Sequence, residues 1–312
     1  GVPCHQLMGP QHRDACPVSW WAQSMPPEDW AKEACWAEGN GFTTMKVKAR
    51  PWYDIDAQLR AVSEASSLHF KLDADFNGLL LGVDKAAPLI GRLEDRYERL
   101  AIVESPLPQD DVAGNKLLRQ KIRSPISMHF GSPPVMTAIG EGVCDGFVIG
   151  GGVKRVLDEG TLAAQAKMPF WLQMVGTGLT TTFAVHLGAV LKEARWPAIP
   201  CINIYSHTLL KDFDVEGGHI AVPQAPGLGV ELDWDVVERF RVEDDFKKEP
   251  VRQIHEIHWP EGRTTHYSSG SYRADFLAGK LMGFVPNIRL EVRLDDGSAE
   301  FNRAYEALFG SC

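Results

Sequence analysis

The chain has 312 residues, of which 44% are hydrophobic and 23% charged, with a net charge of −9. These proportions belong to an ordinary globular protein, long enough for one large α/β domain or two modest ones. The acidic balance and the absence of a Lys/Arg run exclude a nucleic-acid partner held by a basic surface, and no apolar run approaches the ~18 residues of a membrane span.

In chain order, β-rich runs are expected at 16–21, 43–49, 69–73, 100–104, 125–129, 146–149, 170–174 and 201–205, with amphipathic helices between them, as at 28–38, 55–66, 84–96 and 179–192. Such alternation implies parallel strands joined by crossover helices. About eight units is the count of a closed β/α barrel, although an open doubly wound sheet with as many strands has the same pattern. After residue 206 the alternation stops. Residues 217–232 read as a turn-rich connector, 288–294 as a β-like segment and 299–308 as a final helix.

The cysteines (Cys4, Cys16, Cys35, Cys144, Cys201, Cys312) form no CxxC pair. Free thiols are therefore expected, with neither a zinc knuckle nor a disulfide framework. No signal peptide is visible, so the expected compartment is the cytoplasm.

In a β/α barrel the chemistry lies at the C-terminal strand ends. A barrel strand packs its outward face on apolar helices, so Met45 and Val47 point out while Lys46 and Lys48 point in. By the same alternation Phe70 and Leu72 point out, leaving His69, Lys71 and Asp73 inward. The next strand ends on Glu104. In 125–129, Ile126 and Met128 point out, leaving Ser127 and His129 inward. Two lysines, an Asp and a Glu on successive strand ends suit metal-assisted proton abstraction.

Other features read as structural. His69 and Lys71 are expected low in the barrel, and His186 on an apolar helix face. Asp75 is expected either to support a metal ligand from behind or to be a loop carboxylate, and Gly150–Gly152 to form a turn. Neither a GxSxG elbow nor a GxxxxGK[ST] or GxGxxG phosphate loop is present.

The stretches GFTTMKVK, FKLDAD, IVESPL, GTGLTTTFAVHL and HIAVPQAPGLGVEL together resemble the enolase superfamily, in its mandelate racemase/muconate lactonizing enzyme branch. The resemblance covers roughly residues 1–235. It implies a TIM-like (β/α)7–8 barrel over 16–235, preceded at 1–15 by the remnant of, or linker from, an N-terminal capping domain that is otherwise missing. Residues 236–312 would be an extension packing on the barrel or on the capping domain.

The resemblance also implies a mechanism. A divalent cation, Mg²⁺ in most relatives, bridges a small carboxylate substrate and stabilises the enediolate formed when a base removes the α-proton. Lys48 would be that base and Lys46 its cationic neighbour, lowering its pKa and helping to hold substrate charge. Asp73 and Glu104 would be the first two metal ligands. The expected assembly, where not monomeric, is a homo-oligomer.

Three departures bear on the reaction. The family's third metal ligand is an acid ending the fifth strand, where this chain has His129 or, in another alignment, Phe130; a histidine there shifts the preference toward Mn²⁺, Fe²⁺ or Zn²⁺. The second lysine, ending the sixth strand, is replaced by Ile149 and Gly150–Gly152, with Lys154 too far along. Gly176 stands where the seventh-strand acid is expected. Racemisation needs bases on two faces and elimination can use one, so a lyase or cycloisomerase is the expected enzyme. The alternative is a catalytically degenerate barrel that binds an anionic metabolite without turnover.

Overall fold

The computed structural model describes residues 1–242, 246–247 and 250–310. A 3-10 turn (Cys4–Leu7) and strand β1 (Ala15–Pro17) lead into seven parallel strands. These are β2 (Trp20–Ala22), β3 (Thr44–Lys48), β4 (Lys71–Asp75), β5 (Leu100–Glu104), β6 (Ile126–His129), β7 (Gly146–Ile149) and β8 (Phe170–Leu172). Each is followed by a helix: α1 (Pro27–Gly39), α2 (Ile55–Ala65), α3 (Val83–Arg96), α4 (Val112–Arg119), α5 (Val135–Glu141), α6 (Val153–Gln165) and α7 (Gly178–Val190).

The strands pair in sequence order, and the sheet curls until its edges meet at residues 198–199. There Ala198 bridges to Val18 and Ile199 to Gln173, both in parallel sense. This eighth stave lies just before the strand expected at 201–205. That strand is not formed: Ile202–Ile204 is a 3-10 turn after Cys201, whose φ of 52° breaks extension. The first expected strand divides in two, because β1 pairs antiparallel with β9 (His219–Ala221), inside the segment read as a connector, and only β2 joins the barrel.

The outward strand faces make the main core. Met45 and Val47 are fully buried in one cluster with Trp30 and Leu59. Asp54 caps α2, its side chain accepting from the backbone of Asp56 and Ala57, and Asp111 caps α4 in the same way through Gly114; such caps satisfy the orphan N–H groups of a helix start. Inside the barrel, Ile102, Val148, Trp171 and Ile199 form a smaller apolar plug with Trp21 packed against it.

After α8 (Trp234–Arg239) the chain builds a separate small sheet from β10 (Gln253–His258), β11 (Thr264–Tyr267) and β12 (Arg289–Leu294), antiparallel in the order β11-β10-β12, with α9 (Tyr272–Leu277) and α10 (Ala299–Phe309). It rests on the loop that leaves β3. Ile257, Trp259, Tyr272 and Leu290 bury against Trp52 and Tyr53, while Ile254 packs under Phe301 and Tyr305 of α10. The backbone of Phe284 donates to the Pro51 carbonyl (2.7 Å) and that of Asn287 to the second oxygen of Asp54 (2.8 Å). Among the described residues no helix is long and apolar enough to cross a membrane. Cys4, Cys16, Cys35, Cys144 and Cys201 are free thiols; Cys312 lies outside the described residues.

Candidate active site

The register of the parallel strands sorts the inward side chains into layers. Lys46 lies opposite Asp73, and one layer higher Lys48 lies opposite Asp75. Asp73 pairs with Ile102, and Asp75 with Glu104, across a register shift between Leu72 and Asp73. Glu104 in turn lies opposite Ser127, and His129 opposite Val148. The uppermost carboxylates are thus Asp75 and Glu104, with Asp73 beneath them.

The third barrel strand runs to Asp75, two residues beyond the expected end, and begins at Lys71, which leaves His69 exposed outside it. Lys71 does lie low, its ammonium donating to the Glu98 carbonyl at 3.3 Å. The strand can carry two buried acids because Lys46 and Lys48 face them.

Lys46 is 1% exposed and Glu104 fully buried, and the two form a close ion pair. The Lys46 ammonium also lies 3.7 Å from Asp75, donates to Gln173 Oε1 at 3.0 Å and sits 5.4 Å from the centroid of Trp171. Burial alone would pull the Lys46 pKa down, but Glu104, Asp75 and Asp73 outweigh it and raise it above the ordinary lysine value. Lys48, partly open to the mouth, donates to Asp75, whose other oxygen accepts from the Asn77 backbone at 2.8 Å. Burial would raise the Asp75 carboxyl, yet Lys46 and Lys48 hold it below the usual range. Arg50 braces this corner, donating to the Asp75 carbonyl at 3.0 Å and to the Asn77 side chain.

Asp73 has the opposite environment. Both its oxygens are buried without a hydrogen-bond donor, and burial together with Glu104 pushes its carboxyl well above the ordinary value, against the pull of Lys46. It borders a cavity of about 50 Å³ low in the barrel, shared with Thr44, Ile102 and Trp171. His129, its side chain 42% exposed, reaches toward the centre with Nε2 3.4 Å from Glu104 Oε1.

Of the residues named from the sequence, Lys46, Lys48, Glu104 and His129 meet here, while Asp73, expected as the first metal ligand, lies one layer below. The sequence reading missed Gln173, which alternation from Trp171 in the run Phe170–Leu172 would have turned inward, and it did not place Asp75 level with Glu104.

The donor set suits a divalent cation in its chemistry. Both oxygens of Glu104, like those of Asp73, are buried with no well-directed donor, and hard carboxylate oxygens are what Mg²⁺ takes. The ligands are not gathered around a common point, however. Among the described residues the one His/Cys/Asp/Glu trio with all ligand atoms within 4.8 Å of one another lies elsewhere, on the small sheet. In the barrel the two lysine ammoniums rest against the carboxylates.

The far side of the site holds no lysine among the described residues. β7 ends in Val148 and Ile149, both buried, and a side chain at Gly150 would meet the Gln173 carbonyl at 2.5 Å. Gly151 has φ of +123° and Gly152 caps α6, so the glycine run is a turn that lets two strand ends approach. Lys154 lies on α6 and pairs with Asp158 on the surface. His186 is buried, between His5 (3.3 Å) and the Leu228 carbonyl (3.0 Å).

The family model described as "Enolase C-terminal domain-like" matches residues 29–236. An N-succinylamino acid racemase of Amycolatopsis sp is 30% identical over 205 residues, covering 61% of this chain and 53% of that protein. An o-succinylbenzoate synthase of Bacillus subtilis (strain 168) is 24% identical over 250 residues, covering 77% of this chain and 66% of that protein. Among solved structures, a mandelate racemase/muconate lactonizing family protein from Azoarcus sp. EbN1 superposes with a TM-score of 0.64 at 28% identity, covering 78% of this chain and 70% of that one. The chain spans about half to two thirds of the length of these two curated relatives. With the family match extending over most of the barrel and the strand order in agreement, the chain belongs to the enolase superfamily, in its mandelate racemase/muconate lactonizing enzyme branch.

Proposed function

We propose that this barrel abstracts the proton α to a carboxylate in a small-molecule substrate, with the help of a divalent cation. One observation carries the reading: Lys48, Asp75 and Glu104 end three successive strands at one level of the barrel interior. Asp75 and Glu104 would hold the cation, with His129 as a third donor, and Asp73 would sit below as a buried acid. When bound, the cation supplies positive charge for the carboxylate that becomes electron-rich as the α-proton leaves.

Lys48 is the proposed base. It is the inward lysine open to the mouth, and it can accept a proton once its ammonium has left Asp75 and been neutralised. Lys46, ion-paired with Glu104 and hydrogen-bonded to Gln173, holds the local charge and stays protonated. Trp171 and the apolar plug beneath surround the lower barrel with apolar side chains. A single candidate base favours elimination or cycloisomerisation over racemisation, because racemisation needs a second group on the opposite face and that face ends in Ile149 and Gly150.

The test is α-proton exchange in D₂O followed by NMR, with Mg²⁺ or Mn²⁺ and a panel of carboxylates that includes N-succinyl amino acids. Exchange lost in Lys48→Ala supports the reading. Failure of the wild-type chain to bind either cation by calorimetry sinks it and favours a barrel that binds an anionic metabolite without turnover. That second reading draws on the ion pairs that already engage both lysines with Asp75 and Glu104.

A further inference from the structure

We propose a second divalent-metal site, of the zinc type, on the small sheet at Glu256, His258 and Glu291. The three side chains share one face. Glu256 and His258 stand two apart on β10, and Glu291 on β12 lies directly opposite Glu256. One ligand atom from each falls within 4.8 Å of the other two. His258 Nε2 is 3.6 Å from Glu291 Oε2, close to the ~3.4 Å that separates two ligands on tetrahedral zinc bonds of about 2.0–2.1 Å.

Two carboxylates of this face are set against each other. Like charges directly opposite on neighbouring strands are destabilising, and Glu256 faces Glu291 in this way. The guanidinium of Arg289 is divided between two carboxylates: its Nε lies 3.0 Å from Glu291 Oε1 and its Nη2 2.8 Å from Glu28 on α1. Glu28 and Glu291 thus share one arginine. Glu291 Oε2 remains on the side of His258, where a metal ion would bind.

The imidazole is held as a ligand. Its Nδ1 lies 3.1 Å from the Thr264 hydroxyl, which fixes the ring and, with Nδ1 as donor, leaves the lone pair on Nε2. That Nε2 is buried and has no hydrogen-bond partner. Metal-binding histidines are oriented by a hydrogen bond at the other ring nitrogen, the place the Thr264 hydroxyl takes here. One imidazole and two carboxylates form a borderline N/O set that suits zinc better than Mg²⁺. On the other flank His266 Nε2 lies 3.4 Å from Glu256 Oε1. Through Glu291 and Arg289 the bound ion would tie the small sheet to α1 of the barrel.

The experiment is calorimetric titration of the full chain with Zn²⁺ in saturating Mg²⁺, repeated with Co²⁺ to read its visible absorption. The expected result is a Zn²⁺ per chain, additional to any held by Asp75, Glu104 and His129 in the barrel, that Mg²⁺ does not displace, with a tetrahedral Co²⁺ spectrum that His258→Ala removes. His258→Ala and Glu291→Gln should each weaken it by about tenfold or more; His207→Ala, at a histidine outside this face, should leave it unchanged. Circular dichroism of each variant separates loss of the ligand from loss of the fold, and His258→Gln repeats the test with a side chain of similar volume. Absence of such a site in the wild-type chain, or equal Zn²⁺ binding in wild type, His258→Ala and Glu291→Gln, would overturn the proposal.

Discussion

Lys48 closes β3 and Asp75 closes β4 at the same level, and the ammonium of the first donates to the carboxylate of the second. The group proposed as base and a group proposed as ligand therefore neutralise each other. A cation arriving at Asp75 must displace the lysine, and a lysine leaving Asp75 becomes free to meet a substrate. Ligand and base compete for one carboxylate.

Removing the competitor should strengthen cation binding. Lys48→Met is expected to tighten Mn²⁺ or Mg²⁺ by up to about fivefold, the upper end for a partly solvated ion pair, while abolishing α-proton exchange. Calorimetry and NMR on the same variant check both halves. Weaker cation binding in Lys48→Met would show that the lysine supports the site and does not compete for it.

The layer assignment separates the two aspartates. Asp75→Asn should lower cation affinity by about two orders of magnitude, as loss of one carboxylate ligand does, whereas Asp73→Asn should change it severalfold at most. An isosteric amide suits the Asp73 position, where the carboxyl is already driven toward its neutral form. Cation titrations of the two variants, run side by side, decide between the aspartates.

Lys46 and Glu104 form the deepest ion pair of the site. Breaking a buried pair from one side leaves the other charge without compensation and costs about 3–5 kcal/mol. Lys46→Met is expected to lose that much in urea unfolding, and Glu104→Gln a comparable amount. The double variant should lose clearly less than the sum, and additive losses would mean the two groups are not coupled.

Much of this site was legible because a barrel strand alternates. Met45 and Val47 as outward residues fix Lys46 and Lys48 as inward ones, and the structure has them so. The exit of β4 was not legible. A buried acid is costly enough that Asp73 reads as the end of the strand, and only the facing lysines, contributed by the neighbouring strand, permit Asp75 beyond it. Gln173 was hidden for a related reason: the apolar run around it sets no visible phase until Trp171 is known to plug the barrel. The eighth stave is formed by two isolated bridges, and two residues leave no periodicity to read.

The buried thiols predict the alkaline limit of the fold. Burial, partly offset by Arg13, pushes Cys16 from 9.0 up to about 12, and burial followed by Asp145 does the same for Cys144. Between those two pH values the unfolded chain binds fewer protons than the folded one, so stability falls as pH rises, by up to about 1.4 kcal/mol per unit for each thiol. Cys16→Ala should flatten that slope in denaturant titrations from pH 8.5 to 10.5. In the native protein at pH 8, peptide mapping after brief iodoacetamide treatment should find Cys35, which is exposed, alkylated and Cys16 and Cys144 protected.

Asp54 joins the barrel to the small sheet, and its two oxygens divide the work. One accepts from Asp56 and Ala57 at the start of α2, and the other from the Asn287 backbone. Its own backbone N–H donates to the Ile288 carbonyl at 3.2 Å, beside the Trp52 and Tyr53 cluster that seats the sheet. Loss of a cap alone costs about 1 kcal/mol, and a hydrogen bond to a charged group adds about 1.5–3 kcal/mol. Asp54→Ala should therefore destabilise the chain by about 2–4 kcal/mol, and hydrogen exchange should quicken at 285–290 as well as at the start of α2. Asp111→Ala, at a cap with no such second partner, should cost about 1 kcal/mol and leave exchange at 285–290 unchanged. Equal exchange at 285–290 in the two variants would mean that the small sheet is held by its apolar cluster without help from Asp54.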